Sequence, residues 1–484
     1  MVLSPPSEAL TPIAAFRRIA ASRPSAPAFR ADDTRLCFAD LAAETAALAA
    51  YLRGAGVRRG DLVAVLPATA RGGLTAFLAI MHLGAVHCSL AHLGGASIDL
   101  APRWLLGEGA TVARLEALLP EVPALDLAAA PANASPPPVA DIGPDHVAQI
   151  ILTSGTTGRA KLVPLSFAVL AARTALRSRY YPTLGGVLSL MSPATAGGCQ
   201  AAISTLLDGH PLDLSATPEG WAAAVADPGI AHIVASPVQL AGLLAQGPGP
   251  AAGMRGVLLM GGAVPASLAG AAEAALGCPL LSMYGTTELG ACAIRSVDTE
   301  EALRPLPGVR VAVTDDAGRP LPDGETGHLR VIAPGMALEY HDDPVQTLRQ
   351  FRDGWFLPGD LARLHGGMIH LAGRADEVIN IGGVKLDPSA FDRLIADRGL
   401  ASEAAAFRFG EPGRGERLMI ASVTDSDAAF DRLRSEIAAA VAGRFPVGHY
   451  RVDAIPRNEM GKPLRRVLAE RLARQVQAQA SVQS

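Results

Sequence analysis

Apolar runs of strand length alternate with Ala- and Leu-rich helical text from Phe38 to Tyr284. The run DLAAETAALAAYLRGAG reads as a helix closed by glycine, and DLVAVLPA after it reads as a short buried strand. The same beat returns at Leu74–Leu90, at Gly220–Ser236 and at Met254–Tyr284. Strands joined through helices pair in parallel, and their helices must then cover the sheet faces. Between Gly308 and Val331 the pattern changes to short β segments with Asp-Asp-Ala-Gly and Pro-Asp-Gly-Glu turns, which predicts a small antiparallel or barrel-like unit. Breaker-rich text at 129–144 and 245–253 reads as loops.

At 484 residues the chain exceeds the ~250–300 at which one hydrophobic core stops growing. The expected class is therefore α/β: a large N-terminal domain, 1–372, of helix-covered parallel sheets with a small β subdomain, then a small mobile α/β C-terminal domain, 373–484. The uncharged stretch Leu74–Leu93 has membrane-spanning length, but His82, Gly84, His87, Ser89 and His92 interrupt it. It reads as a buried helix followed by a buried strand.

The charge shows no nucleic-acid footprint and no nucleic-acid partner is expected, since 42 Lys and Arg face 46 Asp and Glu and no basic run occurs. The five cysteines, Cys37, Cys88, Cys199, Cys278 and Cys292, show no C-x-x-C spacing and predict no disulfide framework. With no leader-like pattern at the N-terminus, a cytoplasmic location is expected.

Several segments carry chemistry. Thr153, Ser154, Gly155, Thr156, Thr157, Gly158 and Lys161 lie in a loop directly after the apolar run AQIIL, where backbone N–H groups, hydroxyls and an ammonium suit anionic oxygens. The spacing is not that of a P-loop. Tyr284, Gly285, Thr286, Thr287 and Glu288 follow a second apolar run and offer a flat ring, hydroxyls and a carboxylate able to hold Mg²⁺. Asp360, after Gly359, reads as an exposed acceptor pair for a ribose diol. Gly373–Lys385 holds a charged, glycine-rich turn, and Pro456–Arg466 places Lys462 in a loop between Gly461 and Pro463. Each segment alone reads equally as a solvated turn.

In order and spacing, over most of the chain, these segments resemble the signature set of the adenylate-forming superfamily: acyl- and aryl-CoA synthetases, adenylation domains of peptide synthetases and beetle luciferases. The resemblance implies an acid–thiol ligase that uses ATP and Mg²⁺ to make an acyl adenylate, then passes the acyl group to coenzyme A or to the phosphopantetheine of a separate carrier protein. A non-catalytic nucleotide-binding paralogue is the third reading.

It further implies that the 153–161 loop holds the β- and γ-phosphates, that Thr287 touches the α-phosphate and that Glu288 binds Mg²⁺. Gly261, Gly262, Ala263 and Tyr284 would line the adenine slot; Asp360 and Arg374 would hold the ribose; Asp376 would be the hinge. Lys462 would bridge carboxylate and α-phosphate, and Gly383 with Lys385 would face the thiol. The sequence departs from the pattern at Ala160, Leu162, Phe167 and Pro358. Ala194, Ala196, Gly197 and Gly198 leave either a roomy acyl channel or a collapsed wall.

Overall fold

The computed structural model describes residues 11–91, 99–131, 134–135, 137–153, 160–180, 185–249, 251, 253–297, 300–381, 384–411, 415–457 and 461–482. The alternation read from the sequence becomes two parallel sheets. One has nine strands. Its centre runs in parallel through Pro27–Ala31, Leu212–Asp213, Gly186–Ser189, Ile230–Ala235, Gly256–Met260 and Leu280–Thr286, with antiparallel strands at both edges. The other has six strands, in the order Ala124–Asp126, Trp104–Gly107, Leu62–Leu66, Val86–Ser89, Val147–Thr153 and Lys161–Ser166. Only the last pair is antiparallel.

The helix expected at 40–56 spans Phe38–Ala55 and stops at Gly56, whose φ of 113° is the left-handed conformation that glycine takes without penalty. The uncharged stretch is explained by burial on every side. In the helix Ala70–His82, Leu74, Phe77 and Met81 join the core that includes Phe16 and Phe38, while Ala76, Ala79 and Ile80 join the core of Val63 and Val65. A helix apolar all round is a buried helix, and among the described residues no helix is long and apolar enough to cross a membrane.

A third sheet, antiparallel, is built from strands between Arg310 and Arg374. It confirms the β unit read at 308–331 and extends it. Its last strand, Met368–Arg374, pairs Arg374 with Asp360, so the sheet continues past residue 372. The chain then turns at 375–378, and Ile379 enters a separate core with Ile395, Leu418, Ile420 and Leu433. That C-terminal unit has a mixed sheet, Glu403–Glu411, Gly415–Val423 and Val447–Arg451, packed by helices.

The loop that carries Lys462 is held from within its own unit. Arg457 donates to the Gly461 carbonyl at 2.8 Å and pairs with Glu403 at 3.1 Å. Arg465, only 13% exposed, reaches Glu377 at 3.0 Å and Asp392 at 2.6 Å and also donates to the Ala406 carbonyl. Gly461 meets the large domain. Its φ is +76°, and a Cβ there would stand 2.5 Å from a methyl of Val238.

Candidate active site

A cavity of about 640 Å³ opens at the carboxyl ends of the parallel strands, where ligand sites of such sheets lie. Thr153, Lys161, Gly261, Gly285, Thr286, Thr287, Glu288, Arg374, Asp376 and Lys462 all border it. These side chains come from segments hundreds of positions apart and are gathered by the crossover topology. Thr153 and Lys161 face each other across the hairpin that joins Val147–Thr153 to Lys161–Ser166. The intervening Ser154, Gly155, Thr156, Thr157 and Gly158 lie outside the described residues, as do Gly383 and the side chain of Lys385.

Glu288 is buried. It follows the strand Leu280–Thr286, in a turn where Thr286 Oγ1 accepts from the Leu289 N–H at 3.2 Å. Tyr340 Oη donates to Glu288 Oε1 at 2.6 Å and also touches Gln350 Oε1, which accepts from Lys161 Nζ at 2.7 Å. Lys161 Nζ stands 5.0 Å from the centre of the Tyr340 ring, within cation–π range. Burial lowers the Lys161 pKa, and the Glu288 carboxylate opposes that shift. Beneath them Arg173 donates to the carbonyls of Gly335 at 2.7 Å, Thr287 at 2.8 Å and Glu288 at 3.2 Å. A buried guanidinium thus sets the backbone of the acidic turn.

Lys462 extends from its loop into the cavity and keeps an exposed side chain there. Protein nevertheless surrounds it and pulls its pKa below the ordinary lysine value; Asp360 opposes the shift and Arg374 adds to it. Asp376 pairs with Arg374 at 3.1 Å.

Two readings from the sequence differ from the structure. Asp360 is not an exposed acceptor pair: its side chain is 14% exposed, it accepts from the Tyr284 hydroxyl, and it lies 3.5 Å from Arg374. Burial raises its pKa, against the pull of Tyr284, Arg374 and Lys462. Tyr284 spends its hydroxyl on that carboxylate, and burial with the Asp360 charge raises its pKa well above the usual phenol value. Neither borders the cavity, and of the glycine turn only Gly261 does, with Gly262 and Ala263 exposed outside it. Gly197 borders the cavity, with methionines packed close beside it. A Cβ there would lie 2.5 Å from Met260 Sδ and 2.8 Å from Met191 Cε, so methionines occupy the space that the glycine leaves.

Residues 16–97 and 105–341 match the family of AMP-binding enzymes. The chain belongs to that family. It is 29% identical over 94% of its length to the non-canonical nonribosomal peptide synthetase CymA of Salinispora arenicola, of whose length it spans 6%. It is also 29% identical to a feruloyl-CoA synthase of an Amycolatopsis species, covering 93% of this chain and 96% of that one. The o-succinylbenzoate CoA synthetase of Bacillus subtilis, solved with its acyl-adenylate intermediate, superposes with a TM-score of 0.84 over 94% of this chain and 97% of that chain, at 21% identity. The likeness extends the fold to the C-terminal unit.

In this AMP-binding enzyme, Tyr340, Gln350 and Arg173 are site residues that motif reading missed. Each acts through a partner remote in sequence, and no local pattern marks them. Arg173 is one of three arginines in the helix Phe167–Tyr180, and nothing local sets it apart from Arg177 and Arg179. Tyr340→Phe is expected to cut ATP–pyrophosphate exchange by about tenfold, the scale of one hydrogen bond to a charged group. Its thermal midpoint should stay close to that of the wild type. Steady-state exchange and a melting curve check both, and unchanged exchange assigns Tyr340 to packing.

Proposed function

We propose that the chain activates a carboxylic acid with ATP, releasing pyrophosphate, and transfers the acyl group from the adenylate to a thiol. What carries this reading is that Lys161, Arg374 and Lys462 converge with Glu288 on one cavity. Two anions, a carboxylate and a triphosphate, must meet there. A carboxylate oxygen attacks the α-phosphorus, a new P–O bond forms, and the bond to the β-phosphate oxygen breaks with the electron pair leaving on pyrophosphate.

Negative charge crowds the α-phosphorus in that transition state, and Lys462, on a loop that enters the cavity, is the cation that reduces the repulsion. Lys161, steered by Gln350, serves the distal phosphates. Thr287 and Thr153 offer hydroxyls, and Arg374, which borders the cavity with the buried Asp360 behind it, is the proposed ribose contact.

Mg²⁺ fits as an ion carried in with the nucleotide. Among the described residues no cluster of three or more His, Cys, Asp and Glu could cage a metal, and Glu288 is the carboxylate beside the phosphate hydroxyls. A Mg²⁺ held by one carboxylate and phosphate oxygens is the ordinary arrangement, and it supplies neutralisation of phosphate charge.

Similarity to a feruloyl-CoA synthase over nearly its whole length favours coenzyme A as the acceptor. Transfer to a carrier-bound phosphopantetheine is the alternative that the peptide-synthetase relatives suggest. The turn at 380–385, with Gly383 and Lys385, is the proposed face for the thiol, and Asp376 the proposed pivot. ATP–pyrophosphate exchange across a panel of carboxylic acids tests adenylation without assuming an acceptor. Exchange dependent on one acid class is the expected result. No exchange with any acid, while ATP still binds, would establish a nucleotide-binding paralogue instead. Thioester formation with coenzyme A against a loaded carrier then separates the acceptors.

A further inference from the structure

The helices Pro237–Ala245 and Ala266–Leu276 follow successive parallel strands, Ile230–Ala235 and Gly256–Met260, so both begin at the carboxyl ends where the cavity opens. They pack against each other. The C-terminal unit touches the large domain at both helix starts. At the first, Gly461 lies against Val238, the second residue of its helix. At the second, Asp397 Oδ1 accepts a hydrogen bond from the Ala266 N–H at 3.0 Å.

Ala266 is the first residue of its helix, and the first N–H groups of a helix have no partner within it. Pro265 before it has no side-chain acceptor to supply one. A carboxylate from the other domain takes that role, and the positive end of the helix favours its charge. Asp397 in turn ends the helix Pro388–Asp397. About one and a half turns earlier on that helix, Asp392 pairs with Arg465 at 2.6 Å, and Arg465 stands three positions after Lys462. One helix and one ion pair therefore connect the bond at Ala266 to the lysine in the cavity. The contact at Val238 sets how near the Lys462 loop comes, and the bond at Ala266, at a separate point, restrains its rotation.

We propose that Asp397 is a positioning residue for adenylation: its bond to the Ala266 N–H latches the C-terminal unit in the orientation that puts Lys462 in the cavity, and it breaks when the unit turns for acyl transfer. The latch touches neither ATP nor the acid. It acts on the balance between two orientations, so it favours one half-reaction over the other. This inference rests on the proposed rotation about Asp376 between the two half-reactions.

The test uses the full chain and measures the half-reactions separately: ATP–pyrophosphate exchange, and thioester formation from the synthetic adenylate of whichever acid supports most exchange. Asp397→Ala is expected to lower exchange about fivefold, the scale of losing a helix cap, and to leave transfer from the adenylate at or above the wild-type rate. Asp397→Lys, which brings a like charge to the positive helix end, should lower exchange further. Asp397→Asn keeps an oxygen that accepts from the N–H and should stay within about twofold of wild type.

Ala266→Pro breaks the same bond from the other domain. Proline suits the first position of a helix, and Pro265, with φ −65° and ψ 146°, already has the extended backbone that a following proline requires. This variant removes the donor and leaves the C-terminal unit unaltered, so it should reproduce the Asp397→Ala split. The double variant should lose no more than either single one, because both remove one interaction. A parallel fall of both half-reactions assigns the contact to stability and overturns the proposal. Unchanged exchange in Asp397→Ala and Ala266→Pro, or additive losses in the double variant, overturns it as well. Each of those results, with exchange present in the wild type, leaves adenylation standing. Absence of wild-type exchange with every acid overturns the adenylation reading and the latch with it.

Discussion

Lys462→Ala is expected to lower ATP–pyrophosphate exchange by about 100- to 1000-fold, the usual range for loss of a group that stabilises developing charge. Thioester formation from a supplied acyl adenylate should stay within about threefold of wild type. The structural basis is that Lys462 reaches the cavity from a loop of the C-terminal unit, while Thr153, Lys161, Thr287 and Glu288 reach it from the large domain. Removing it deletes a charge without opening a core, because the side chain stands exposed in the cavity and its loop is held by Arg457 and Arg465. The two half-reactions are measured separately, with isotope exchange and with synthetic adenylate. A parallel loss of both would place Lys462 in the general integrity of the site.

Glu288→Gln should reduce exchange by about 100-fold and raise the Mg²⁺ concentration needed for half-maximal rate, because the amide keeps the shape and removes the charge that a hard cation requires. Folding should survive, since the amide oxygen can still accept from Tyr340 Oη as Oε1 does now. A second signature follows from Lys161. Its pKa is lowered by burial and supported by the Glu288 charge. Without that charge the ammonium loses its proton at a lower pH, so the alkaline limb of the activity profile moves toward neutrality. An Mg²⁺ titration and a pH profile check the two effects. Unchanged metal dependence would make Glu288 a structural turn residue. Asp360→Asn, paired with Arg374 at 3.5 Å, should instead raise the apparent constant for ATP and leave the metal optimum in place.

Much of the fold was legible because its elements announce themselves locally. The Gly56 stop, the strand Leu62–Leu66 and the alternation read at Gly220–Ser236 and Met254–Tyr284 depend on residues within a few positions of each other. Lys161, Glu288, Arg374 and Lys462 were marked for another reason: each segment alone reads as a solvated turn, and only the order and spacing of all of them carried the resemblance that singled these residues out. What stayed hidden is non-local. Tyr340 bonds a carboxylate 52 positions away, and Arg173 a carbonyl 162 away. Asp360 read as exposed because Gly359 precedes it, yet Tyr284, 76 positions earlier, covers it. Gly197 shows the same limit: its small size marked a gap, and only the tertiary structure shows Met260 and Met191 packed close beside it.

Arg465 ties together parts of the C-terminal unit that a pivot would otherwise shear. It pairs with Glu377, the residue after the proposed pivot Asp376, and with Asp392, and it lies three positions after Lys462. Pivot and lysine are thereby ends of one stiff lever with a guanidinium as its brace. If the chain rotates near Asp376 as proposed, Lys462 would move with its loop along a defined arc rather than trail on a slack tether. Under that proposal the positional accuracy of the lysine would rest on a brace outside the cavity, set apart from the groups that border it.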